Sequence, residues 1–322
     1  MKVLGISSGR TMGNSEILLR EALAGAKESG AGVELVRLNE FEIYPCEGCS
    51  GCEQKPHGMI DCIRHKDDFP VLLEKIYEAD GIILSSPVCT WTPNGLIRIL
   101  GDRIGPYHDV EMLRLKGYEG ENSPIDQRVF NRRVAAYITV GGSKDRRYSS
   151  MSLAMMNQVL YPMAIPVVDQ MAVFGAYMPG QCLEDEEALW RARLLGKNVV
   201  QQFGADGTAP KWCGEAAHLC PECHNDLFAI YPDKKMVFCG NCAIVGELVE
   251  NEDKTTSMIF TDEARTKSRF RLSKMGEHAQ FIVGGQSKEV VQARKEKEKG
   301  ALEKEIKMYR EYSPKVIKPS RV

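Results

Sequence analysis

Eight of the chain's eleven cysteines fall into two compact groups, and these groups are the clearest sign of chemistry in the sequence. The first group has the spacing C-x2-C-x2-C-x9-C, and the second has the spacing C-x2-C-x15-C-x2-C. The members are Cys46, Cys49, Cys52 and Cys62 in the first set, and Cys220, Cys223, Cys239 and Cys242 in the second set. Because thiolates this close in sequence usually share a metal ion or a cluster, we expect two metal-binding sites.

The spacing of the first cysteine set favours iron. Three thiolates with two-residue gaps can reach three irons of a cubane, and a fourth can follow further along, which suits a [4Fe-4S] cluster. Zinc is more often bound by two separated C-x2-C pairs, so zinc is one alternative and a metal-free, redox-active thiol set is another. His57 and His65 flank the set and are interpreted as solvated loop residues rather than ligands.

The second cysteine set predicts a zinc ribbon. Its two C-x2-C pairs flank a segment patterned as a hairpin that turns at 232 to 235. Rubredoxin-type iron is the alternative, and we expect the metal to be structural rather than to read nucleic acid, because the hairpin is mixed in charge. Cys182 and Cys213 show no pairing and are interpreted as packing residues, with Cys213 as an alternative ribbon ligand.

Apolar strand-like runs alternate with amphipathic helical stretches through the first two thirds of the chain. We expect strands at 2 to 7, 32 to 38, 81 to 86, 133 to 140 and 166 to 174. We expect helices near 15 to 29, 69 to 78, 94 to 104, 149 to 161 and 185 to 202. This alternation predicts an α/β fold with a flavodoxin-like, doubly wound, five-stranded parallel sheet of order 2-1-3-4-5.

Three domains are predicted from shifts in composition. Residues 1 to 205 form the flavodoxin-like domain with a cysteine-cluster loop at 44 to 65, residues 206 to 260 form the ribbon, and residues 261 to 322 form a partly helical extension. From residue 286 onward, eleven Lys and Arg stand against six Glu. We interpret this segment as a solvated or subunit-packing helix, with docking to an acidic electron carrier as the alternative.

The loop after the first strand has the composition of a phosphate-binding site. A helix N-terminus at the carboxyl edge of a parallel sheet offers free N–H groups, and hydroxyl, amide and guanidinium donors stand beside it. These donors are Ser7, Ser8, Arg10, Asn14 and Ser15. The loop lacks both the GK[ST] ending of a Walker loop and the G-x-G-x-x-G of dinucleotide folds, so a monophosphate such as that of FMN fits better than the ligands of those loops. The alternative is a well-capped loop that binds no phosphate.

Two further loops reach the same edge of the sheet. In the second loop, Ser85, Ser86 and Pro87 allow a flat ring to approach the backbone, while Cys89 and Trp91 offer apolar walls. In the third loop, Gly141 and Gly142 allow a similarly close approach. Three such loops at one edge predict a ligand crevice.

The motifs GISSGRTMGNSE, CEGCSGC, EADGIILSSPVCTWTPNGLIRILGDR and YITVGGSK together resemble the NADPH-dependent FMN reductase family, and within it the iron-sulfur flavoproteins. The resemblance implies FMN in the three loops, a [4Fe-4S] cluster on the first cysteine set, and a homo-oligomer, either a dimer or a tetramer. The FMN-binding positions that it implies are Ser7, Ser8, Arg10, Met12, Asn14, Ser15, Ser86, Pro87, Val88, Cys89, Trp91, Asn94, Gly141 and Gly142.

Flavin and cluster together predict an oxidoreductase. FMN exchanges electrons in pairs or singly and a cluster exchanges them singly, so we expect electron transfer between the two, with NAD(P)H or a low-potential carrier as donor. The partners would be small molecules or electron-transfer proteins. The alternatives are a plain NAD(P)H:flavin or quinone reductase without a cluster, and a flavin-dependent regulator that binds nucleic acid or protein. The net charge of -2 gives no general reason to expect nucleic acid.

Nothing in the sequence predicts a membrane location. The N-terminus enters a strand directly, without a targeting pattern, and no apolar run approaches the ~18 residues of a membrane span. We therefore expect a cytoplasmic protein, where clustered cysteines are more often metal ligands than disulfides.

Overall fold

The computed structural model of the chain describes residues 1–49, 51–54, 62–105, 108–204, 209–215, 219–285 and 288–312. It divides into two compact units, Met1–Met275 and Gly276–Val322. The first unit contains a parallel sheet with its helices and a smaller antiparallel sheet, and the second unit is helical where it is described.

The parallel sheet and its short hairpin strand come first in the chain. The strands are β1 (Lys2–Ser7), β2 (Gly32–Arg37), β3 (Gly81–Cys89), β4 (Thr92–Pro93), β5 (Val134–Val140) and β6 (Val167–Val173). The helices are α1 (Asn14–Glu28), α2 (Gly51–Gln54), α3 (Phe69–Glu78), α4 (Gly95–Ile104), α5 (Val110–Leu115), α6 (Ser152–Met156) and α7 (Glu186–Gly204). The parallel strands lie in the order β2-β1-β3-β5-β6, which confirms the predicted doubly wound topology.

The sheet is covered on both faces because its strands are apolar on both sides. Leu4 and Ile6 of β1 join a core with α3 and α4, whereas Val3 joins a second core with α1 and α7. The central strand β5 is buried along its whole length. Burial on both faces is what a parallel sheet requires, and it leaves the loops at the carboxyl ends of the strands free to form a site.

Helices α1 and α7 approach each other closely at two glycines. A Cβ on Gly25 would lie 2.0 Å from the carbonyl oxygen of Arg193, and a Cβ on Gly196 would lie 1.7 Å from that of Ala22. Since real side chains do not approach a backbone oxygen that closely, this helix pairing requires glycine at both positions.

The predicted helix at 149 to 161 is shorter than expected. Only α6 is α-helical, and 3-10 turns at Arg146–Ser149 and Tyr161–Met163 stand before and after it. The Asp145 side chain accepts a hydrogen bond from the backbone N–H of Arg147 and so caps the first turn. Pro162 stands in the second turn and cannot continue a helical hydrogen-bond ladder. These local signals limit the helix at both ends.

The second cysteine set lies on an antiparallel sheet of four strands. They are β7 (Phe228–Tyr231), β8 (Met236–Cys239), β9 (Val245–Glu250) and β10 (Thr256–Ile259), in the order β10-β9-β8-β7. Strands β7 and β8 are joined by a 3-10 turn at Pro232–Lys234, followed by Lys235 at a φ of 46°, so the predicted hairpin turn is confirmed. Strands β9 and β10 add two strands to the predicted hairpin, and both lie within the predicted ribbon segment 206 to 260.

The ribbon packs on the parallel-sheet domain through polar contacts and one ring stack. The Trp212 and His224 rings lie 3.9 Å apart at an interplanar angle of 10°. The other contacts are hydrogen bonds from Gln170 Nε2 to the His224 carbonyl and from Gln158 Nε2 to Asn241 Oδ1, and an ion pair between Arg146 and Asp226. These contacts fix the ribbon against the third loop and β6.

The remaining helices follow the ribbon. They are α8 (Asp262–Thr266), α9 (Leu272–Gly285), α10 (Lys288–Lys299) and α11 (Ala301–Glu311). The last two carry most of their side chains exposed to solvent, among them Met308 and Tyr309. Among all the helices in the described ranges, none combines the length and the apolar composition needed to cross a bilayer.

Candidate functional site

The three loops predicted to form a site meet at one crevice of about 340 Å³ at the carboxyl edge of the parallel sheet. Its lining residues are Arg10, Gly13, Asn14, Ser15, Pro87, Val88, Val140, Gly142, Ala176 and Tyr177. Larger cavities of about 510 and 500 Å³ lie against the ribbon. The smaller crevice lies where doubly wound folds bind ligands.

The first loop ends at a helix terminus without a side-chain cap. The N-cap of α1 is Gly13, and it makes no side-chain cap hydrogen bond. Ser7, Ser8 and Ser15 are buried, whereas Arg10 and Met12 are exposed. An uncapped helix N-terminus next to buried hydroxyl groups suits an anionic group.

Asn14 connects α1 to the loop after β6. Its Nδ2 donates to the carbonyl oxygens of Ala176 and Met178, at 2.8 Å each, and its Oδ1 accepts from the Cys182 backbone N–H at 3.2 Å. Both ends of the amide are therefore engaged by protein. Its role is to position the loop that carries Tyr177, and Cys182 beside it is buried, as expected of a packing residue.

The second loop is a hairpin rather than an open loop. Strand β3 continues to Cys89, an exposed thiol, and β4 pairs with it through Val88 with Pro93 and Cys89 with Thr92. The two turn residues, Thr90 and Trp91, have φ of 50° and 67°. Two-residue turns with both residues left-handed normally contain Asn or Gly, so no residue type in the sequence indicated this turn.

The hairpin is fixed to the first loop by Asn94. The Asn94 backbone N–H donates to Ser86 Oγ at 3.1 Å, and Asn94 Nδ2 donates to the Ser8 carbonyl oxygen. Ser86 Oγ in turn donates to the Pro87 carbonyl oxygen at 2.9 Å. The loops after β1 and β3 therefore form one connected unit.

The glycines of the third loop face protein at close range. A Cβ on Gly141 would lie 2.4 Å from Ser149 Oγ, and a Cβ on Gly142 would lie 3.0 Å from the Tyr177 ring. Gly142 also lines the crevice, whereas Gly141 does not. Packing within the protein therefore already requires small residues at both positions.

Each of the three loops contributes one buried polar atom without a hydrogen-bond partner in the described part of the chain. These atoms are Ser7 Oγ, Asn94 Oδ1 and Ser149 Oγ. None of these three residues is among those that line the 340 Å³ crevice, and Ser149 lines the 510 Å³ cavity instead. The fit to FMN therefore rests on the crevice itself, where Arg10 and the uncapped N-terminus of α1 suit a phosphate group.

The sulfur atoms of the second cysteine set converge. All four Sγ atoms lie within 4.8 Å of one another, with Cys220 and Cys242 at 3.5 Å and Cys223 and Cys239 at 3.5 Å. A tetrahedral metal with Zn–S bonds of about 2.3 Å places its sulfurs about 3.8 Å apart, so the set fits a zinc ion. Among the residues that the structure describes, this is the only such convergence of three or more ligand atoms.

The two halves of this set repeat one backbone arrangement. The His224 N–H donates to the Cys220 carbonyl at 2.9 Å, and the Ala243 N–H donates to the Cys239 carbonyl at 2.9 Å. His224 and Ala243 both have positive φ, at 57° and 66°. The same turn therefore aims both pairs of sulfurs inward, and the protein prepares the ligand positions through its backbone.

Crowding of the four thiols changes their acidity. Hydrogen bonding within the set lowers the pKa of Cys220 and Cys239 and raises the pKa of Cys223 and Cys242. The four buried sulfurs thus share protons unless a metal cation takes the place of those protons. Asn241 Nδ2 lies 3.5 Å from Cys223 Sγ and adds a polar contact to that sulfur. Cys213 lies outside the set and is half-buried.

The first cysteine set has a different character. Cys46 and Cys49 are exposed, and Cys52 and Cys62 are half-buried. Backbone N–H groups reach two of the sulfurs, from Gly48 to Cys46 and from Arg64 to Cys62, both at 3.4 Å. His57 lies outside the described residues, and His65 Nε2 lies 3.5 Å from Glu47 Oε1.

A buried ion pair joins the two ends of this cysteine loop. Arg103 of α4 donates to Asp67 and to the Tyr44 carbonyl, the latter at 2.9 Å, and the Tyr44 N–H donates to Asp67 at 3.0 Å. The side chains of Arg103 and Asp67 are 3% and 0% exposed. Burial raises the pKa of Asp67, but the hydrogen bonds from Arg103, Tyr44 and Phe69 outweigh it and lower the pKa overall.

The sheet order and the crevice define a flavodoxin-like protein with an FMN site. The chain belongs to the NADPH-dependent FMN reductase family, whose model matches residues 1–177, and it is a flavin-dependent oxidoreductase. The predicted family is thereby confirmed.

Two groups of relatives differ in how much of the chain they cover. An iron-sulfur flavoprotein of Methanocaldococcus jannaschii is 34% identical and covers 62% of this chain and 96% of its own length. A flavone synthase of Aspergillus candidus is 33% identical and covers 88% of this chain and 90% of its own. The solved structure of a flavone reductase has a TM-score of 0.79 and 26% identity, with 99% and 100% coverage. The two longer matches therefore extend over the ribbon.

Proposed function

We propose that the protein binds FMN in the crevice and uses it to exchange electrons between NAD(P)H and a flat, conjugated aromatic substrate of the flavone class. The observation that carries the cofactor's placement is the crevice at the N-terminus of α1, which Arg10 and Ser15 line and where no side chain caps the helix. When bound, FMN supplies the two-electron redox chemistry, and the chain supplies binding, orientation and a polar environment.

The proposed FMN-binding residues divide by loop. In the first loop the phosphate would be held by Ser7, Ser15, Arg10 and the N-terminal N–H groups of α1, with Ser8 and Met12 beside them and Asn14 in a positioning role. In the second and third loops the ring would be flanked by Ser86, Pro87, Val88, Cys89, Trp91 and Asn94 and by Gly141 and Gly142. Of these, Pro87, Val88 and Gly142 line the crevice.

The proposed substrate class rests on the relatives that match along most of the chain. One is named for forming a flavone and the other for reducing one, so both names place a flavone on one side of a redox step. Both matches extend over the ribbon, whereas the iron-sulfur relative covers only 62% of this chain. We therefore infer that the ribbon-bearing members share a substrate class.

A second candidate function is electron transfer between FMN and a [4Fe-4S] cluster on Cys46, Cys49, Cys52 and Cys62. The specific observation in its favour is the buried pair of Asp67 and Arg103, which holds the two ends of the cysteine loop together. An iron-sulfur flavoprotein among the relatives supports the same idea. We propose zinc for the second cysteine set in either case.

The experiment is anaerobic purification of the full chain with FMN, iron, sulfide and zinc quantified per chain, followed by assays with NADH or NADPH and a flavone. We expect about one FMN and one zinc per chain, with about four irons if the cluster is present. A preparation that takes up no FMN would overturn the proposal. FMN binding with turnover of quinones but not flavones would favour the plain reductase, and light scattering would give the oligomeric state.

A matched pair of variants tests the cofactor's placement. Ser15→Ala should weaken FMN binding about five- to tenfold, because Ser15 lines the crevice and a buried hydrogen bond contributes about 1 kcal/mol. Ser150→Ala is the control, since Ser150 is exposed and does not line the crevice. If Ser15→Ala instead leaves FMN affinity unchanged, its hydroxyl does not face the cofactor.

A further inference from the structure

Two aromatic side chains from different loops stand together at solvent near the flavin crevice. The rings of Trp91 and Tyr148 stack with centroids 6.5 Å apart and an interplanar angle of 26°. Trp91 is 51% exposed and Tyr148 is 53% exposed. Trp91 stands at the tip of the hairpin whose base includes Val88, and Tyr148 comes after Gly142 in the third loop. Val88 and Gly142 line the crevice, whereas the two aromatic residues stand beside it in the chain.

The backbone holds Trp91 in an unfavourable conformation. Thr90 and Trp91 are consecutive residues with left-handed φ, which is rare for a β-branched and for a bulky residue. The β3–β4 pairing enforces the turn, and Thr92 Oγ1 donates to the Cys89 carbonyl at 3.1 Å. Backbone strain of this kind persists mainly where it serves a functional site.

Tyr148 is held by a separate set of hydrogen bonds. It lies in the 3-10 turn Arg146–Ser149, which Asp145 caps by accepting from the Arg147 N–H at 3.0 Å. The Asp145 N–H donates to Ser143 Oγ at 3.0 Å, and the Gly175 N–H donates to the Ser143 carbonyl at 2.8 Å. Both rings are therefore positioned before any ligand arrives.

The charges beside Tyr148 are neutralised by protein. Arg146 pairs with Asp226 of the ribbon, and Arg147 pairs with Asp145. Both arginines that directly precede Tyr148 in the sequence are therefore paired with carboxylates. Two fixed, half-exposed aromatic faces instead favour a flat, neutral ring system, which they can bind by stacking.

We propose that Trp91 and Tyr148 form the wall of the substrate site that selects flat, uncharged aromatic ring systems. This inference rests on the proposed function and assigns the recognition of its substrate class to two named residues. Tyr148 was absent from the sequence-based candidates. Trp91 was among them only as a residue beside the flavin.

The test compares Trp91→Leu and Tyr148→Leu with the control Trp190→Leu in the FMN-loaded protein. Trp190 is the same residue type, is 62% exposed, and lines the 510 Å³ cavity instead. Each wall variant should raise the KM for a flavone about five- to tenfold, measured per bound FMN, and Tyr148→Leu should do so without a change in FMN content or in the rate of ferricyanide reduction. Tyr148→Phe should restore most of the affinity, because it retains the ring.

Binding provides a second readout that needs no turnover. A flavone should quench tryptophan fluorescence in the oxidised protein, and that quenching should weaken in Trp91→Leu but not in Trp190→Leu. Unchanged KM and quenching in both wall variants would overturn the inference, as would a raised KM in Trp190→Leu alone, which would move the substrate to the larger cavity. A change of oligomeric state in the wall variants without a KM effect would show that a second copy covers these rings. Failure of the wild type to bind FMN or to act on a flavone would instead overturn the proposed function.

Discussion

The two cysteine sets have four sulfurs each but are built in opposite ways. In the second set all four sulfurs are buried and converge within 4.8 Å, and a repeated backbone turn aims them inward. In the first set two cysteines are exposed, and the buried contacts lie at the ends of the loop, where Arg103 and Asp67 join them. One site fixes its ligands individually, whereas the other fixes the base of the loop that carries them.

This difference teaches what each site can do. Buried, preformed sulfurs suit a metal that stabilises a small domain, because the free energy of metal binding becomes folding free energy. Exposed sulfurs on the loop after β2 suit a centre that exchanges electrons with a partner, because such exchange needs a short distance between the two redox groups. The comparison therefore predicts the largest stability effects at the ribbon and smaller ones at the base of the cysteine loop.

The largest effect should follow loss of a ribbon ligand. Cys239→Ser should abolish zinc binding and lower the Tm by more than about 10 °C, because structural zinc contributes about 10 kcal/mol or more in small domains. The measurements are zinc per chain and calorimetric unfolding. Cys213→Ser is the matched control, since Cys213 lies outside the converging set, and equal zinc loss in both variants would contradict the assignment.

The next largest effect should come from the base of the first cysteine loop. Arg103→Gln leaves Asp67 buried without its cation and should lower the free energy of unfolding by about 3–5 kcal/mol. Arg98→Gln on the same helix is the control, because its ion pair with Asp102 is 59% and 34% exposed and should contribute less than about 1 kcal/mol. Denaturant unfolding measures both, and similar losses would show that the buried pair has no special role.

Lowering the pH should reduce the difference in stability between the wild type and Arg103→Gln. Because the pKa of Asp67 is lowered in the folded state, its ionised form stabilises the fold above the unfolded pKa of about 3.9 and loses that contribution as the pH falls below it. In Arg103→Gln the main lowering contact is gone, so protonation should relieve the buried charge. The stability gap from wild type should therefore narrow as the pH falls from 7 toward 4, and a constant gap would contradict this account.

The smallest effect concerns the link between the ribbon and the flavin domain. Asn241 contacts Cys223 Sγ through Nδ2 and accepts from Gln158 through Oδ1. Asn241→Leu should lower the free energy of unfolding by about 1–3 kcal/mol, because it leaves a buried donor unmet. A double-mutant cycle with Gln158→Leu measures the coupling, which should exceed about 0.5 kcal/mol. Independent, additive effects would show that the two residues do not act together.

Much of this molecule was predictable because its signals are local. The periodicity of the first two thirds of the chain predicted five strands separated by helices, and the strand order expected of a doubly wound fold of this size is confirmed. Helix α3 (Phe69–Glu78) matches its predicted bounds. The turn at Pro232–Lys234 was predictable because proline and charged residues separate two apolar runs. Both cysteine sets were visible from spacing alone, although spacing could not distinguish converging sulfurs from exposed ones.

The features that escaped prediction depend on distant partners or unusual backbone. Asp67 and Arg103 are 36 residues apart, and nothing in either neighbourhood indicates a buried pair. The hairpin at Thr90 and Trp91 lacks the glycine or asparagine that marks such turns. Tyr148 joins the proposed site only because the chain brings the third loop beside the hairpin that carries Trp91. The family resemblance supplied Asn94, whose side chain links the loops after β1 and β3.

The two glycines between α1 and α7 have a consequence for the phosphate end of the crevice. Gly25 lies eleven residues beyond Asn14, about 17 Å along the helix axis. An added methyl group at Gly25 or Gly196 would push the two helices apart and tilt α1, which would displace its N-terminus at the crevice. Tight FMN binding would therefore depend on the spacing of this helix pair as well as on the residues that line the crevice.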